Sequence, residues 1–146
     1  MFSQTVEYAL RAVVHLAQHA PDPQKTNDIA AATKVPTAYL SKVLQGLKAR
    51  QIVTLQRGIG GGVALARPAS QLTILDVVNA VDPIKRITTC PLDLQSHGVR
   101  LCALHRKMDN AIFEMEKAFQ STTLAELLAD GNLSVPLCEG EREDAG

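Results

Sequence analysis

A short stretch in the second half of the chain carries the side chains best suited to chemistry. Residues 88–105 read TTCPLDLQSHGVRLCALH, in which Cys90 and Cys102 stand twelve positions apart and His105 follows three residues later. Thiolate and imidazole groups bind iron–sulfur clusters and other soft metal centres, and a pair of thiols can also be oxidised without any metal. The spacing therefore leaves three interpretations open: a metal site, a thiol switch, or two cysteines that only pack.

The composition limits the kind of protein that carries this stretch. A chain of 146 residues predicts one domain, or a small domain with a helical appendage, and its 3% aromatic content predicts a core of closely packed aliphatic helices. No apolar run approaches the roughly 20 residues of a membrane span, and the N-terminus lacks the basic and small-residue signals of a secretory leader. We therefore expect a cytoplasmic protein without a membrane partner, in which three cysteines do not form a disulfide framework.

The charges are distributed unevenly, although the formal net charge is zero. Residues 29–75 contain no Asp or Glu, and they hold six bases: Lys34, Lys42, Lys48, Arg50, Arg57 and Arg67. A basic middle between acidic flanks is typical of a surface that meets a polyanion.

The hydrophobic pattern predicts a mainly α fold with a small β-hairpin wing. Apolar residues at helical spacing indicate a helix over 2–19, and then a short helix capped by Thr26 or Asn27 and a longer one beginning at Pro36. Two short β-prone runs, IVTLQR and GVALAR, follow and are separated by GIGGG. This order of elements is that of a winged helix-turn-helix.

The basic second helix and the glycine-rich turn are the predicted DNA contacts. Ser, Thr and Gln side chains can bond base edges, whereas Lys and Arg attract phosphates. The glycines precede a second β-prone run rather than a helix, which favours a wing tip over a nucleotide-binding loop. The predicted contact residues are Thr26, Asn27, Pro36, Thr37, Ala38, Tyr39, Ser41, Lys42, Gln45, Lys48, Arg57, Gly58, Gly60 and Gly61.

The remaining chain predicts three further helices and divides into segments. A helix capped by Thr73 ends at Asp82-Pro83, a long one runs from about Cys102 to Ser121, and TTLAELLAD forms a short final helix. The expected organisation is a winged helix-turn-helix domain over 1–83, a cysteine loop over 84–105, a long C-terminal dimerisation helix with the final helix over 102–130, and an acidic flexible tail over 131–146.

Four separated motifs resemble the Rrf2 family of winged-helix transcription regulators. They are VEYALRA, IAAATKVPTAYLSKVLQGLKARQIV, RGIGGGVALARP and LTILDVVNAVD, in the order of the family, and the resemblance covers residues 1 to about 121. It implies a homodimer joined by the long helix. It also implies an operator in double-stranded DNA, read by the second helix in the major groove and the wing in the minor groove.

The same resemblance gives the cysteines a role. Cluster-binding members of the family look as if they carry three cysteines in this loop, spaced C-x5-C-x5-C. Positions 90, 96 and 102 of this chain keep that spacing, but Ser96 stands in place of the middle cysteine. His105 matches a family ligand, and Glu7 matches an acid that some relatives supply from the partner's first helix, whereas Arg11 stands where one variety has a histidine. The implied cofactor is a [2Fe-2S] cluster held by Cys90, Cys102, His105 and Glu7.

Two alternatives stay open for this loop: a metal-free thiol sensor, and a regulator that has lost the cluster and senses a small ligand. His97 could compensate for Ser96, and Cys138 is expected to be a spare thiol.

The sequence contains none of the common catalytic patterns: no Ser-His-Asp order, no HExxH and no Walker motif is present. We therefore do not expect an enzyme. The acid-free segment argues against an adaptor that binds only proteins.

Overall fold

The computed structural model describes residues 2–89 and 101–130, and this part of the chain forms six α-helices and one hairpin. In chain order the elements are α1 Gln4–His19, α2 Thr26–Thr33, α3 Thr37–Ala49, β1 Val53–Gln56, β2 Gly62–Leu65, α4 Ile74–Val81, α5 Ala103–Gln120 and α6 Leu124–Ala129. The predicted mainly helical fold with a small hairpin wing is confirmed. Cys90, Ser96, His97, Cys138 and the tail over 131–146 lie outside the described residues.

The first helix is the centre of the core. Ser3 caps it, because its side chain accepts a hydrogen bond from the Val6 amide at 3.3 Å. The small residues Ala9 and Ala12 are fully buried beside Val13 and Leu16, so α2, α3 and α4 can all pack closely against α1. Burial of this aliphatic face supplies most of the driving force for the fold.

The helix-turn-helix forms without the helix caps that the sequence indicates. The residue before α2 is Lys25, which makes no side-chain cap, so the expectation that Thr26 or Asn27 caps this helix is wrong. Lys34 ends α2 in the left-handed conformation (φ 56°), and the buried Val35 fixes the turn. Pro36 precedes α3 instead of occupying its first helical position, and its carbonyl accepts the Leu40 amide at 2.9 Å.

The hairpin is fastened to the helical body by a third stretch of backbone. Its strands pair antiparallel in a register that sets Val53 opposite Leu65, and Gln24 pairs with Val63 on the other side of β2. The Gln24 amide donates to Val63 at 2.8 Å, and the Val63 amide donates back at 2.7 Å. The base of the wing therefore moves with the segment that connects α1 and α2.

The last described helix returns to the body. Thr123 caps α6 as Thr73 caps α4, each in a reciprocal hydrogen-bond pair with an acid three residues on. Leu124 is fully buried in the core, and its amide donates to the Leu72 carbonyl at 2.8 Å. Residues 122–124 therefore pack with α1 and α4, although the sequence groups them with the long helix.

The long helix α5 lies at the edge of the protein, and none of its residues is buried. It contacts α4, and Phe119 near its end meets Phe2 with ring centroids 5.6 Å apart. Ile112, Met115 and Phe119 are half-buried, whereas Leu104 and Met108 are 65% and 47% exposed. One apolar side of α5 is thus open in the single chain.

Candidate nucleic-acid interface and sensor segment

Helix α3 divides into a buried and an exposed side. Leu40, Val43, Leu44 and Leu47 anchor it to the core. Every predicted contact residue at its start and on its outer side is exposed: Pro36, Thr37, Ala38, Tyr39, Ser41, Lys42, Gln45 and Lys48. The structure therefore brings these residues together on one accessible surface, with hydroxyl, amide and ammonium groups of the kinds that meet bases and phosphates.

The predicted contacts on α2 are less uniform. Asn27 is exposed, but Thr26 is half-buried at the first helical position. The amide groups at the start of α2 are not covered by a side-chain cap, which leaves donors of the kind that bind phosphate.

The wing tip owes its shape to its glycines. Gly58 and Gly60 have φ values of 96° and 77°, and among the described residues no atom beyond their chain neighbours lies within 4 Å of where their Cβ atoms would stand. A Cβ on Gly61 would meet the Gln56 carbonyl oxygen at 2.5 Å, so the turn excludes any side chain there. Arg57, Gly58 and Gly60 are exposed and Gly61 is half-buried.

Sequence reasoning missed one residue of this tip. Ile59 stands between the two left-handed glycines and is fully exposed, although it is a large apolar residue. Its position in the GIGGG turn was the available signal, because Ile59 is the middle one of the five residues between the paired Gln56 and Gly62, where a side chain points away from the body.

The surface around α3 and the hairpin is electropositive. Lys42, Lys48, Arg50 and Arg57 are exposed there, and the sequence places no acid between residues 29 and 75. Arg67, at the end of β2, is half-buried, and its Nε has no hydrogen-bond partner among the described residues. This concentration of cations attracts a polyanion without specifying its sequence.

The described half of the cysteine site is at the start of α5. Cys102 occupies the position before the helix, and its Sγ lies 3.2 Å from Nδ1 of His105, one turn further on. Both residues are half-buried. Within residues 2–89 and 101–130 no three His, Cys, Asp or Glu side chains come together in a way that could hold a metal ion. Cys90 lies outside those residues, so the predicted ligand set is only partly represented.

The remaining predicted ligand, Glu7, is far from this pair in the sequence, in the first helix of the chain. It is exposed on α1 and forms an i,i+4 ion pair with Arg11, whose Nε is 3.7 Å from the carboxylate. The Arg11 guanidinium also lies 5.7 Å from the centroid of the Tyr8 ring. Glu7 is therefore accessible, and a surface ion pair of this kind holds it only weakly.

A contact that the sequence did not indicate fastens the start of the cysteine loop to α5. Arg86 donates two hydrogen bonds to the Asp109 carboxylate, each 2.7 Å long, and the Ile87 amide donates to the same group at 2.9 Å. The Arg86 guanidinium also stacks 5.0 Å from the Phe113 ring. Hydrogen bonds from Arg86 hold the pKa of Asp109 below its usual value, and Asp109 in turn raises the pKa of Arg86. We call this contact the Arg86–Asp109 clamp.

None of the helices in the described residues combines the length and the hydropathy that a bilayer span requires.

The sequence is similar to that of known regulators. An HTH-type transcriptional regulator of Mycobacterium tuberculosis is 33% identical over 127 residues, which cover 86% of this chain and 79% of the relative.

Two solved structures share the fold. The global cysteine regulator CymR of B. subtilis has a TM-score of 0.74 at 20% identity, over 90% of this chain and 98% of that one. IscR of T. potens has a TM-score of 0.75 at 22% identity, over 90% of this chain and 88% of that one. The model of the Rrf2 family, described as iron-dependent transcriptional regulators, matches residues 2–130. The chain therefore belongs to the Rrf2 family and is a DNA-binding transcription regulator with a winged-helix fold.

Proposed function

We propose that this regulator is a homodimer that reads a pseudo-palindromic operator and responds to redox state or iron–sulfur supply through residues 90–105. The observation that carries the sensing part is the Cys102–His105 pair, because a thiol 3.2 Å from an imidazole is a reactive or ligating arrangement. The pair stands at the start of the helix expected to join the two subunits. We propose the cytoplasm as its location, where operator DNA is found.

The open side of α5 supports the dimer. Leu104, Met108 and Ala111 are exposed along one side of the helix, next to the half-buried Met115. A second copy would cover this stripe by antiparallel or crossed packing of the two helices. The dimer then presents two α3 helices to successive major grooves, with Arg57 and the wing tip at the flanking minor grooves.

The residues present at the sensor segment fit a [2Fe-2S] cluster in their chemistry. Cys90, Cys102 and His105 would hold it, with Glu7 of the partner subunit as the fourth ligand, and mixed cysteine and histidine sets suit such clusters. When bound, the cluster would make the site sensitive to oxidation and to iron supply. Ser96 would be a weak ligand at the middle position, and the accessible Glu7 would supply a carboxylate to complete the set.

The chain's own residues supply the connection from this segment to the DNA. The Arg86–Asp109 clamp holds the start of the cysteine loop (residues 84–105) on α5, and at Cys102 the same loop leads directly into α5. A rearrangement of the segment would therefore rotate or shift α5, and with it the distance between the two α3 helices. A coupling of about 1–3 kcal/mol is enough to change operator occupancy many-fold.

A metal-free thiol sensor is the second candidate, and the same pair favours it. Nδ1 of His105 lies within hydrogen-bond distance of the Cys102 sulfur, and Cys102 directly precedes α5. Oxidation of Cys102, alone or with Cys90, would then replace cluster chemistry as the signal.

The deciding experiment is anaerobic purification followed by a visible absorption spectrum and assays of iron and sulfide. A brown protein with about two irons and two sulfides per subunit supports the cluster. Cys90→Ala and His105→Ala should then each bleach it, whereas His19→Ala, a histidine on α1, should not. A colourless protein that resists reconstitution contradicts the cluster, and operator affinity is then measured with and without oxidation of Cys102.

A further inference from the structure

A cleft of about 300 Å³ opens between the first half of α1, one flank of α3 and the end of α4. Its lining residues are Gln4, Thr5, Tyr8, Tyr39, Lys42, Val43, Gly46, Ala80 and Val81. This volume is at the small end of the range of about 300–1,000 Å³ found for ligand pockets. The described residues near the cysteines, Cys102 and His105 among them, do not line this cleft.

The walls of the cleft are mainly apolar and partly aromatic. Val43 is buried at its base, and Ala80 and Val81 of α4 form one side. Tyr8 and Tyr39 form the other side, with ring centroids 6.0 Å apart and planes inclined by 55°. Such walls suit a flat apolar group better than a branched or strongly polar one.

Gly46 keeps the cleft open without being required by the backbone or by packing. It lies inside α3, where glycine costs about 1 kcal/mol relative to alanine. Its φ is not in the left-handed region, and a Cβ there would meet Val81 Cγ1 at 3.5 Å and the Ala80 carbonyl oxygen at 3.6 Å, both ordinary contacts. A larger side chain at this position would fill the space.

One cation stands at the rim. Lys42 is exposed, and within the described residues no carboxylate pairs with its ammonium group. Gln4 and Thr5, on the first turn of α1, add polar groups at the same opening. A ligand with an apolar body in the cleft would thus place an anionic group beside Lys42.

We propose that this cleft binds a small planar apolar anion, of the aromatic carboxylate class, and that the bound ligand competes with DNA. Tyr39 and Lys42 line the cleft and also belong to the surface proposed to contact the operator. The Lys42 ammonium group cannot bind the carboxylate of the small ligand and a DNA phosphate equally well at the same time. The small ligand should therefore lower the affinity for DNA, and DNA should lower the affinity for the small ligand by the same factor. This competition rests on the proposed mode of DNA binding, whereas binding of the anion does not.

The chain carries its own optical probe for the test. It has two tyrosines and no tryptophan, and both tyrosines line the cleft. Titration with 2-naphthoate should quench the tyrosine emission of the full-length protein to saturation. The uncharged 2-naphthamide should bind about ten-fold more weakly or worse, because it cannot make the charge-assisted contact with Lys42.

Three variants locate the binding. Gly46→Leu should abolish the quenching by filling the cleft, and Ala49→Leu, the same new side chain at an exposed position of α3, should leave it unchanged. Lys42→Met, on the surface and therefore expected to fold, should lose the preference for naphthoate over naphthamide. Equal quenching in wild type, Gly46→Leu and Lys42→Met, or none in wild type, overturns the proposal.

Competition is measured by fluorescence anisotropy with labelled operator DNA, with and without saturating 2-naphthoate. The ligand should weaken DNA binding by wild type and leave Gly46→Leu unaffected. Quenching without any change in DNA affinity overturns the competitive part. If the protein binds no operator even without ligand, the proposed DNA-binding mode has failed, and the quenching data still decide whether the cleft binds the anion.

Discussion

Individual side chains on the outer face of α3 carry the two kinds of group that attraction to DNA and sequence reading require. Lys42 and Lys48 are exposed cations, and Thr37, Ser41 and Gln45 carry short hydrogen-bonding groups on the same face. Phosphate contacts fix affinity and its salt dependence, whereas contacts to base edges fix sequence preference. The two roles can therefore be separated by measuring affinity at several salt concentrations.

Lys42→Ala should weaken binding to specific and unrelated DNA alike, because it would remove one of the proposed phosphate contacts. The plot of log affinity against log salt concentration should lose about one unit of slope. Lys107→Ala, which removes an exposed lysine from α5, is the matched control and should leave the slope unchanged. An unaltered slope for Lys42→Ala would count against its assignment to the interface.

His15 predicts a pH dependence of stability. Burial lowers the pKa of His15 below its ordinary value of 6.5, the neighbouring His19 lowers it further, and Gln24 and Asp28 act in the opposite direction. The unfolded chain consequently binds more protons than the folded one in the window just below pH 6.5. The contribution of His15 is complete above that pH and is lost as the pH falls through its folded pKa.

Urea unfolding between about pH 7.5 and pH 5.5 tests this prediction. In wild type the free energy of unfolding should decrease as the pH is lowered from 7.5 to about 5.5. In His15→Gln this decrease should be smaller. His19→Gln should retain most of it, because burial is the larger cause of the shift. Parallel pH profiles for wild type and His15→Gln would rule out His15 as the source.

At the scale of elements, the glycines of the wing and of α3 have opposite roles. Gly62 lies against the backbone of Gln24, where a Cβ would stand 2.7 Å from the carbonyl oxygen. That closeness permits the pairing between Gln24 and Val63 that fastens the wing. Gly46, in contrast, occupies a helical position with room for a Cβ.

Gly62→Ala should therefore destabilise the protein, by about 1–3 kcal/mol, through the displaced backbone. Gly46→Ala should instead stabilise it, by up to about 1 kcal/mol, through higher helix propensity. Thermal unfolding of both variants beside wild type measures the two signs. A loss of stability in Gly46→Ala would mean that the α3–α4 contact needs the glycine.

The Arg86–Asp109 clamp is an element-scale contact, because it joins the segment after α4 to the middle of α5. Asp109→Ala should speed hydrogen exchange at residues 84–89, including the Ile87 amide that now donates to the carboxylate. Glu114→Ala, at an exposed position of the same helix, should leave that exchange unchanged. Equal exchange in both variants would show that the clamp does not hold the segment.

The sequence predicted the elements well because their signals are local. Apolar periodicity and the Thr73 cap correctly indicated α4 and its end, and the glycine-rich turn correctly indicated the hairpin. The sequence did not indicate Lys25 as the residue before α2, because this helix begins without the side-chain cap on which such predictions rely. The clamp was missed for a different reason: Arg86 and Asp109 are 23 positions apart, and no local pattern records a contact of that range.

For the whole molecule, the exposed stripe on α5 is the feature that a single chain leaves unexplained. Met108→Glu would put a charge in the centre of this stripe and should give a monomer, seen by light scattering after size-exclusion chromatography. Operator affinity should then fall by about 100-fold, because two linked half-sites become two independent ones. Dimeric Met108→Glu would place the subunit contact elsewhere.

Asn110→Glu is the matched control for that experiment. It introduces the same charge at an exposed position two residues further on, about 200° around the helix axis from Met108. The control should remain dimeric and retain wild-type affinity. A monomeric control would show that added charge on any side of α5 prevents association.

The burial of Leu124 also has a consequence for synthesis on the ribosome. The core that positions α3 includes Leu124, and its amide bonds to Leu72, so this core is completed by residues beyond the entire length of α5. A nascent chain that has emerged only through α4 contains α3 but lacks this core residue. Domains generally fold as units while the chain is being made. Here the surface proposed to read DNA and the helix proposed to pair the subunits would complete their folding together. Prematurely terminated chains would then become substrates for proteolysis before they could occupy an operator alone.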